Sequence, residues 1–130
     1  MSASQRNQAT IVLSRRALRD ILNIEEYSVT QWGEKVAGEY LDQIEAGLQR
    51  IAASPELLRE DPEIATCLRF YRVQKHLLIC DVVGRSVYVL AVIHCSMDVP
   101  RRIRELEPIL LLESEMLHQK LQKKQAEDNQ

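Results

Sequence analysis

Two apolar runs, Leu77–Val83 and Ser86–Ile93, stand either side of Gly84-Arg85, and no other feature constrains the fold of this chain as strongly. Both are rich in β-branched and aromatic residues, the composition of strands. A two-residue connection with Gly first accepts the positive φ of a tight hairpin turn. That turn sets a register in which Val83 lies opposite Ser86, Asp81 opposite Tyr88 and Ile79 opposite Leu90. Upstream, Leu68–Val73 reads as a further strand joined through Gln74-Lys75, a poorer turn because neither residue favours positive φ. Strict alternation places Leu68, Phe70, Leu77, Ile79, Leu90 and Val92 on one face. It places Tyr71, Leu78, Val82, Val87, Val89 and Ile93 on the other. A sheet wetted on one side alternates apolar and polar residues. This one is apolar on both faces, so both must be covered.

The first half of the chain supplies one cover. Thr10–Leu13 reads as a short strand at an edge of the same sheet, with Ser14 as N-cap of a helix carrying Leu18, Ile21, Leu22 and Glu25 at helical spacing. Trp32-Gly33 interrupts that pattern. A second helix then repeats apolar residues at Val36, Ala37, Tyr40, Leu41, Ile44, Leu48 and Ile51. Ser54-Pro55 ends it, since a residue before proline resists helical angles. Helices joined so tightly form a hairpin. Residues 56–66 read as a polar connection. The expected class is α+β: a helical hairpin packed on an antiparallel β-sheet, in the order β-α-α-β-β-β.

The second cover is a C-terminal helix. Pro108 is suited to open one, and Ile109–Leu112, Met116, Leu117 and Leu121 are too many apolar residues for a solvated helix. This helix can pack on the chain's own body, on a second copy or with a partner. The organisation expected is a disordered segment 1–8, a domain 9–104, a helical extension 105–122 and a disordered tail 123–130.

Composition excludes several classes. The net charge of -2 and pI near 5.9 do not fit a protein that binds nucleic acid through bulk charge. No direct sequence-specific contact with nucleic acid is expected. No apolar run is long enough to span a bilayer. Three cysteines without CxxC spacing point to reduced thiols and a cytoplasmic setting. His76, His94, His118 and the cysteines lack the spacing of a zinc site, so no metal and no cofactor is expected. His94 and Cys95 are neighbours on a strand end and point to opposite faces, which prevents a proton-transferring dyad. The four glycines are scattered and form no phosphate loop. Arg69 sits within a mostly apolar strand and must find a partner or solvent.

Taken in order, certain residues look like a family. They are Leu13-Ser14, Ala17, Asp20-Ile21, Ile24, Tyr27, Trp32-Gly33, Ala37, Tyr40, Ile44, Leu48, Ile51-Ala52 and Pro55 in the helical half. In the strand half they are Leu68-Arg69, His76 and His94-x-x-Met97-Asp98 followed by Arg101. The chain resembles the ParE/RelE superfamily of bacterial toxins, and within it the ParE branch. It departs from that pattern at Cys80-Asp81, where the family usually has Tyr-Arg, at Thr66-Cys67, and in the length of its tail.

The resemblance implies a small cytoplasmic toxin of a type II toxin–antitoxin system with no catalytic residues. It implies a ParD-like antitoxin as partner and DNA gyrase as target, with a homodimer or a toxin–antitoxin hetero-oligomer as the assembly. The expected target contacts are Arg69, His94, Met97, Asp98, Arg101, Arg102 and Arg104. The expected antitoxin contacts are Tyr27, Trp32, Tyr40, Tyr71 and Tyr88. The alternatives are a RelE-like ribosome-dependent endoribonuclease, for which no late acid/base Tyr follows Tyr88, and a decayed member that only binds antitoxin.

Overall fold

The computed structural model describes residues 8–62, 65–96 and 98–128. The class is α+β. Strand β1 (Thr10–Leu13) is followed by the long helical element α1 (Arg15–Ala53), and β2 (Arg59–Asp61), β3 (Ala65–Val73), β4 (His76–Val83) and β5 (Ser86–His94) precede helix α2 (Val99–Asp128). The strands form one five-stranded sheet in the order β1-β5-β4-β3-β2.

Local chemistry starts and breaks α1. The Ser14 side chain accepts a hydrogen bond from the Ala17 N–H at 3.0 Å and donates to the Leu90 carbonyl at 2.9 Å. One residue thereby caps the helix and ties it to β5. The helix is broken at Gly33, where φ is 88°. Few side chains tolerate that backbone, so Trp32-Gly33 divides α1 into two arms. The second arm approaches the sheet closely at Gly47, where a Cβ would stand 2.5 Å from Val73 Cγ2. Ala37, Ile44 and Ile51 are buried, as the periodicity requires, whereas Leu18, Leu22 and Val36 lie half-exposed on the flanks.

The strands refine the expected sheet at several points. β1 pairs with β5 in parallel, from Thr10 opposite Ser86 to Leu13 opposite Val89, so the sheet is mixed. A short edge strand, β2, forms within the polar connection and pairs with β3. Its three residues, Arg-Glu-Asp, carry no apolar alternation, and backbone pairing alone makes the strand. The β3–β4 turn places Gln74 at φ 53°, a conformation that costs about 1–2 kcal/mol for a non-glycine residue. Hydrogen bonds from Arg72 Nε to the Gln74 carbonyl and from Gln74 to Gln43 hold it there.

The hairpin register agrees at Val83–Ser86 and Asp81–Tyr88, but Ile79 faces Ala91 and not Leu90. A β-bulge lies between Ile79 and Cys80, and Leu90 is the extra residue on β5. One inserted residue reverses the alternation beyond it. Leu90 and Ala91 therefore both face α2, while Val92 turns toward α1 and Ile93 toward α2, the opposite of strict alternation.

Helix α2 lies in cis on the second face. Ile103, Leu106 and Leu110 pack with Leu68, Phe70, Ile79, Tyr88 and Leu90. Burying each of the three contributes about 1.5–3 kcal/mol. The helix opens at Val99, earlier than Pro108 suggests, because Asp98 caps it: Asp98 Oδ1 accepts from the Arg101 N–H and the Asp98 carbonyl from that of Arg102. Pro100 in the first turn forfeits an N–H that has no helical partner in any case. Pro108 lies inside the helix. There it removes one backbone bond at a cost of about 3 kcal/mol, which the burial of the flanking Leu106 and Leu110 offsets.

Candidate functional site

A cleft of about 380 Å³ opens where the first arm of α1, the ends of β4 and β5 and the start of α2 meet. β1 ends opposite Val89, so the next polar groups on that side of β5 have no strand to pair with. Asp20 takes one of them, accepting the Val92 N–H at 2.9 Å. Burial raises the Asp20 carboxyl above its usual range, and the Val92 bond with Arg16 and Arg102 nearby opposes that shift.

The inner wall is a chain of rings. The Tyr40 hydroxyl accepts from the Lys75 N–H at 3.2 Å and hydrogen-bonds His76 Nδ1. His76 stacks edge-on against His94, with ring centroids 4.9 Å apart. Burial, with His94 beside it, pulls His76 down to about 4. It is thus neutral at pH 7, and its Nδ1 shares a hydrogen bond with the Tyr40 hydroxyl. Burial also raises the Tyr40 phenol. His94 Nδ1 is occupied by the Ser96 N–H at 2.9 Å. At the outer lip, Tyr27 and Trp32 meet edge-to-face at 5.8 Å while staying more than half exposed. Gly33, which breaks the helix immediately afterwards, leaves these two rings at its end.

The arrangement suits recognition better than proton transfer. His76 and Tyr40 titrate far from neutrality in opposite directions and are bonded to each other. Exposed Tyr and Trp beside arginine form the composition that dominates protein interfaces. Among the described residues, no group of three His, Cys, Asp or Glu could hold a metal ion. Cys80 is buried, and its thiol is pushed up to about 12 by burial and by Asp81.

The cleft gathers Tyr27, Trp32 and Tyr40 from the expected antitoxin contacts and His94 and Arg102 from the expected target contacts. The remaining residues lie elsewhere. Arg69 pairs with Glu60 of the edge strand at 3.3 Å. The Tyr71 hydroxyl accepts from Arg50 Nε at 2.9 Å. Tyr88 is only 7 % exposed, inside the α2 cluster, so it is a core residue and no partner reaches it while α2 is docked. Asp98 caps α2, Arg101 and Arg102 both pair with Glu105 at 3.3 Å, and Arg104 is exposed. Met97 lies outside the described residues. Sequence reading missed Asp20, Lys75 and Arg16 as lining residues. Asp20 reaches Val92 across 72 positions, and no local spacing signals that.

Comparison with known proteins bears on this geometry. Residues 11–99 match the model of the ParE toxin of type II toxin–antitoxin systems, parDE. The chain is similar to Toxin ParE of Escherichia coli, 27 % identical over 95 residues, spanning 72 % of this chain and 92 % of that one. It is also similar to Toxin ParE1 of Caulobacter vibrioides, 31 % identical over 86 residues, spanning 66 % and 88 %. A solved chain from the chromosomal ParDE TA system of P. aeruginosa shares the fold, with a TM-score of 0.60 at 14 % identity, covering 68 % of this chain and 97 % of that one. The family match stops at residue 99, where α2 begins.

Proposed function

Because the chain belongs to the family of ParE toxins of type II toxin–antitoxin systems, we propose that it is a cytoplasmic toxin that acts by binding a protein target and is held inactive by a ParD-like antitoxin. DNA gyrase is the target the family suggests. The observation that supports a binding protein over an enzyme is the cleft itself. Its exposed Tyr27–Trp32 pair is free to meet a partner, while the Tyr40 hydroxyl and the Nδ1 atoms of His76 and His94 are engaged with each other or with backbone. A nuclease cutting through a 2′-hydroxyl needs a base and an acid poised near neutrality; burial moves both Tyr40 and His76 away from that range. We assign antitoxin contacts to Tyr27, Trp32 and Tyr40, and target contacts to the exposed side of the first two turns of α2, above all Arg101 and Arg104.

Inducible expression in bacteria tests the reading. Growth arrest relieved by co-expressed antitoxin, with loss of supercoiling by purified gyrase, is the expected result. Cleavage of ribosome-bound message would replace the reading with a ribonuclease. Trp32→Ala is expected to weaken antitoxin binding by about 2 kcal/mol or more, as exposed aromatic anchors do, with an unchanged circular dichroism spectrum.

A further inference from the structure

We propose that the cleft is one half of a longer groove that takes an acidic amphipathic helix of the antitoxin, and that α2 forms the groove's second wall. This rests on the antitoxin reading above. A second cavity, about 330 Å³, lies between the start of α1 and the middle of α2, lined by Leu13, Arg15, Arg16, Glu113, Met116 and Lys120 among others. Arg16 lines both cavities, and its 3.4 Å bridge to Glu113 stands between them. Sharing Arg16 as a wall, the two cavities on this proposal make one trough along α1 and α2, divided by that salt bridge.

The charge of the trough and an apolar stripe beside it define its occupant; of that stripe, Met116 lines the second cavity, and Ile109 and Leu112 line neither. Ile109, Leu112 and Met116 recur at three- and four-residue steps and are 46 %, 58 % and 53 % exposed. They form an apolar stripe on α2 distinct from the buried Ile103, Leu106 and Leu110. On a chain of net charge -2, the trough is cationic: Arg15, Arg16, Lys75, Arg102 and Lys120 line it against Asp20 and Glu113. The Arg16–Glu113 and Arg102–Glu105 bridges are partly exposed, so they exchange partners at little cost. Arg102 Nε is buried without a hydrogen-bond partner among the described residues. A carboxylate drawing Arg102 off Glu105 would pair a donor the free chain leaves unmade. An apolar stripe flanked by cations matches a helix with i, i+3 and i+4 apolar anchors and acidic flanks. A nucleic acid would gain nothing from the stripe and would meet the Asp20 carboxylate. Since α2 lies beyond the family match, this wall is a means for the chain to prefer its own antitoxin over those of relatives.

A display library of amphipathic helical peptides, with flanking positions randomised between Glu and Lys, tests this on the intact chain. Glu-flanked peptides should be enriched. A labelled winner should bind at least tenfold more weakly to Ile109→Glu/Met116→Glu and to Arg102→Glu, and equally well to Arg59→Glu on the edge strand. If the double variant disturbs the fold by circular dichroism, Leu112→Glu alone replaces it. Lys-flanked winners, no enrichment over scrambled peptides, affinity indifferent to the stripe, or displacement by homopolymeric RNA would each overturn the proposal. A chain that selects acidic helices but arrests no growth keeps the groove and loses the toxin reading. A chain rescued by an antitoxin that ignores the Ile109→Glu/Met116→Glu change loses the groove and keeps the toxin.

Discussion

The two faces of the sheet are covered in different ways. On one, α1 lays two arms across Leu78, Cys80, Val87, Val89 and Val92, within the stretch that matches the family. On the other, α2 lies almost wholly beyond that stretch and adds a polar anchor to its apolar contacts. Asp81 of β4 accepts hydrogen bonds from the Ser114 hydroxyl and, at 2.8 Å, from His118 Nε2, both on α2. At Asp81, one of the two positions where the resemblance leads to an expectation of Tyr-Arg, this chain has an acceptor with two donors on α2. The lesson is that a departure from a family pattern can be local chemistry for an added element and need not concern the shared function.

The largest expected effect tests whether both covers belong to one cooperative core. Ile51 in α1 and Leu110 in α2 are both fully buried. Leu110→Ala and Ile51→Ala should each cost about 2–5 kcal/mol in a single urea transition. A Leu110→Ala variant with an unchanged main transition would make α2 an appendage and break the equivalence of the faces. Gly47→Val forces a Cβ against Val73 on the α1 side only. It should cost about 1–3 kcal/mol by overpacking, and a second-site Val73→Ala should recover part of that loss in the same unfolding assay.

Smaller effects separate the polar devices. Asp81→Ala removes an acceptor used twice by α2, a loss of about 1.5–3 kcal/mol for hydrogen bonds to a charged group. Hydrogen exchange should rise in α2 and not in α1. A pH effect of comparable size reports on the α1 side. His76 stands at about 4 in the folded chain against an ordinary 6.5. The unfolded chain therefore takes up the proton first. The stability contributed by neutral His76 is complete above pH 6.5 and is lost as the pH falls towards 4. Urea unfolding at pH 7, 5 and 4 should show that decline, and His76→Gln should flatten it. An NMR titration placing His76 near 6.5 would remove the effect.

Much of this architecture is legible without coordinates. Gly84, the Trp32-Gly33 break, the Ser14 cap and the Ser54-Pro55 stop are each written within a few residues, and each operates as its local chemistry requires. The demand for a second cover follows from the apolar character of both faces of Leu77–Ile93. The start of α2 is less legible because Pro108 imitates a helix opening, while the actual cap, Asp98, lies ten residues earlier. The candidate site is legible only in part. Tyr27, Trp32 and Tyr40 stand out as aromatics on helices, but nothing in their spacing places His94 and Arg102 beside them.

Periodicity and turn chemistry are properties of neighbours along the chain, so the sequence by itself determined the helices, every strand but β2 and the need to bury both sides of the sheet. Pairings between distant residues are not. The bulge at Leu90 that exchanges Val92 and Ile93, the parallel docking of β1 on β5, the Asp20–Val92 bond, and the Arg16–Glu113 bridge across 97 positions were decided only by tertiary structure. Each depends on which backbone groups are left unpaired, and which side chains come within reach, once the two helical elements close on the sheet.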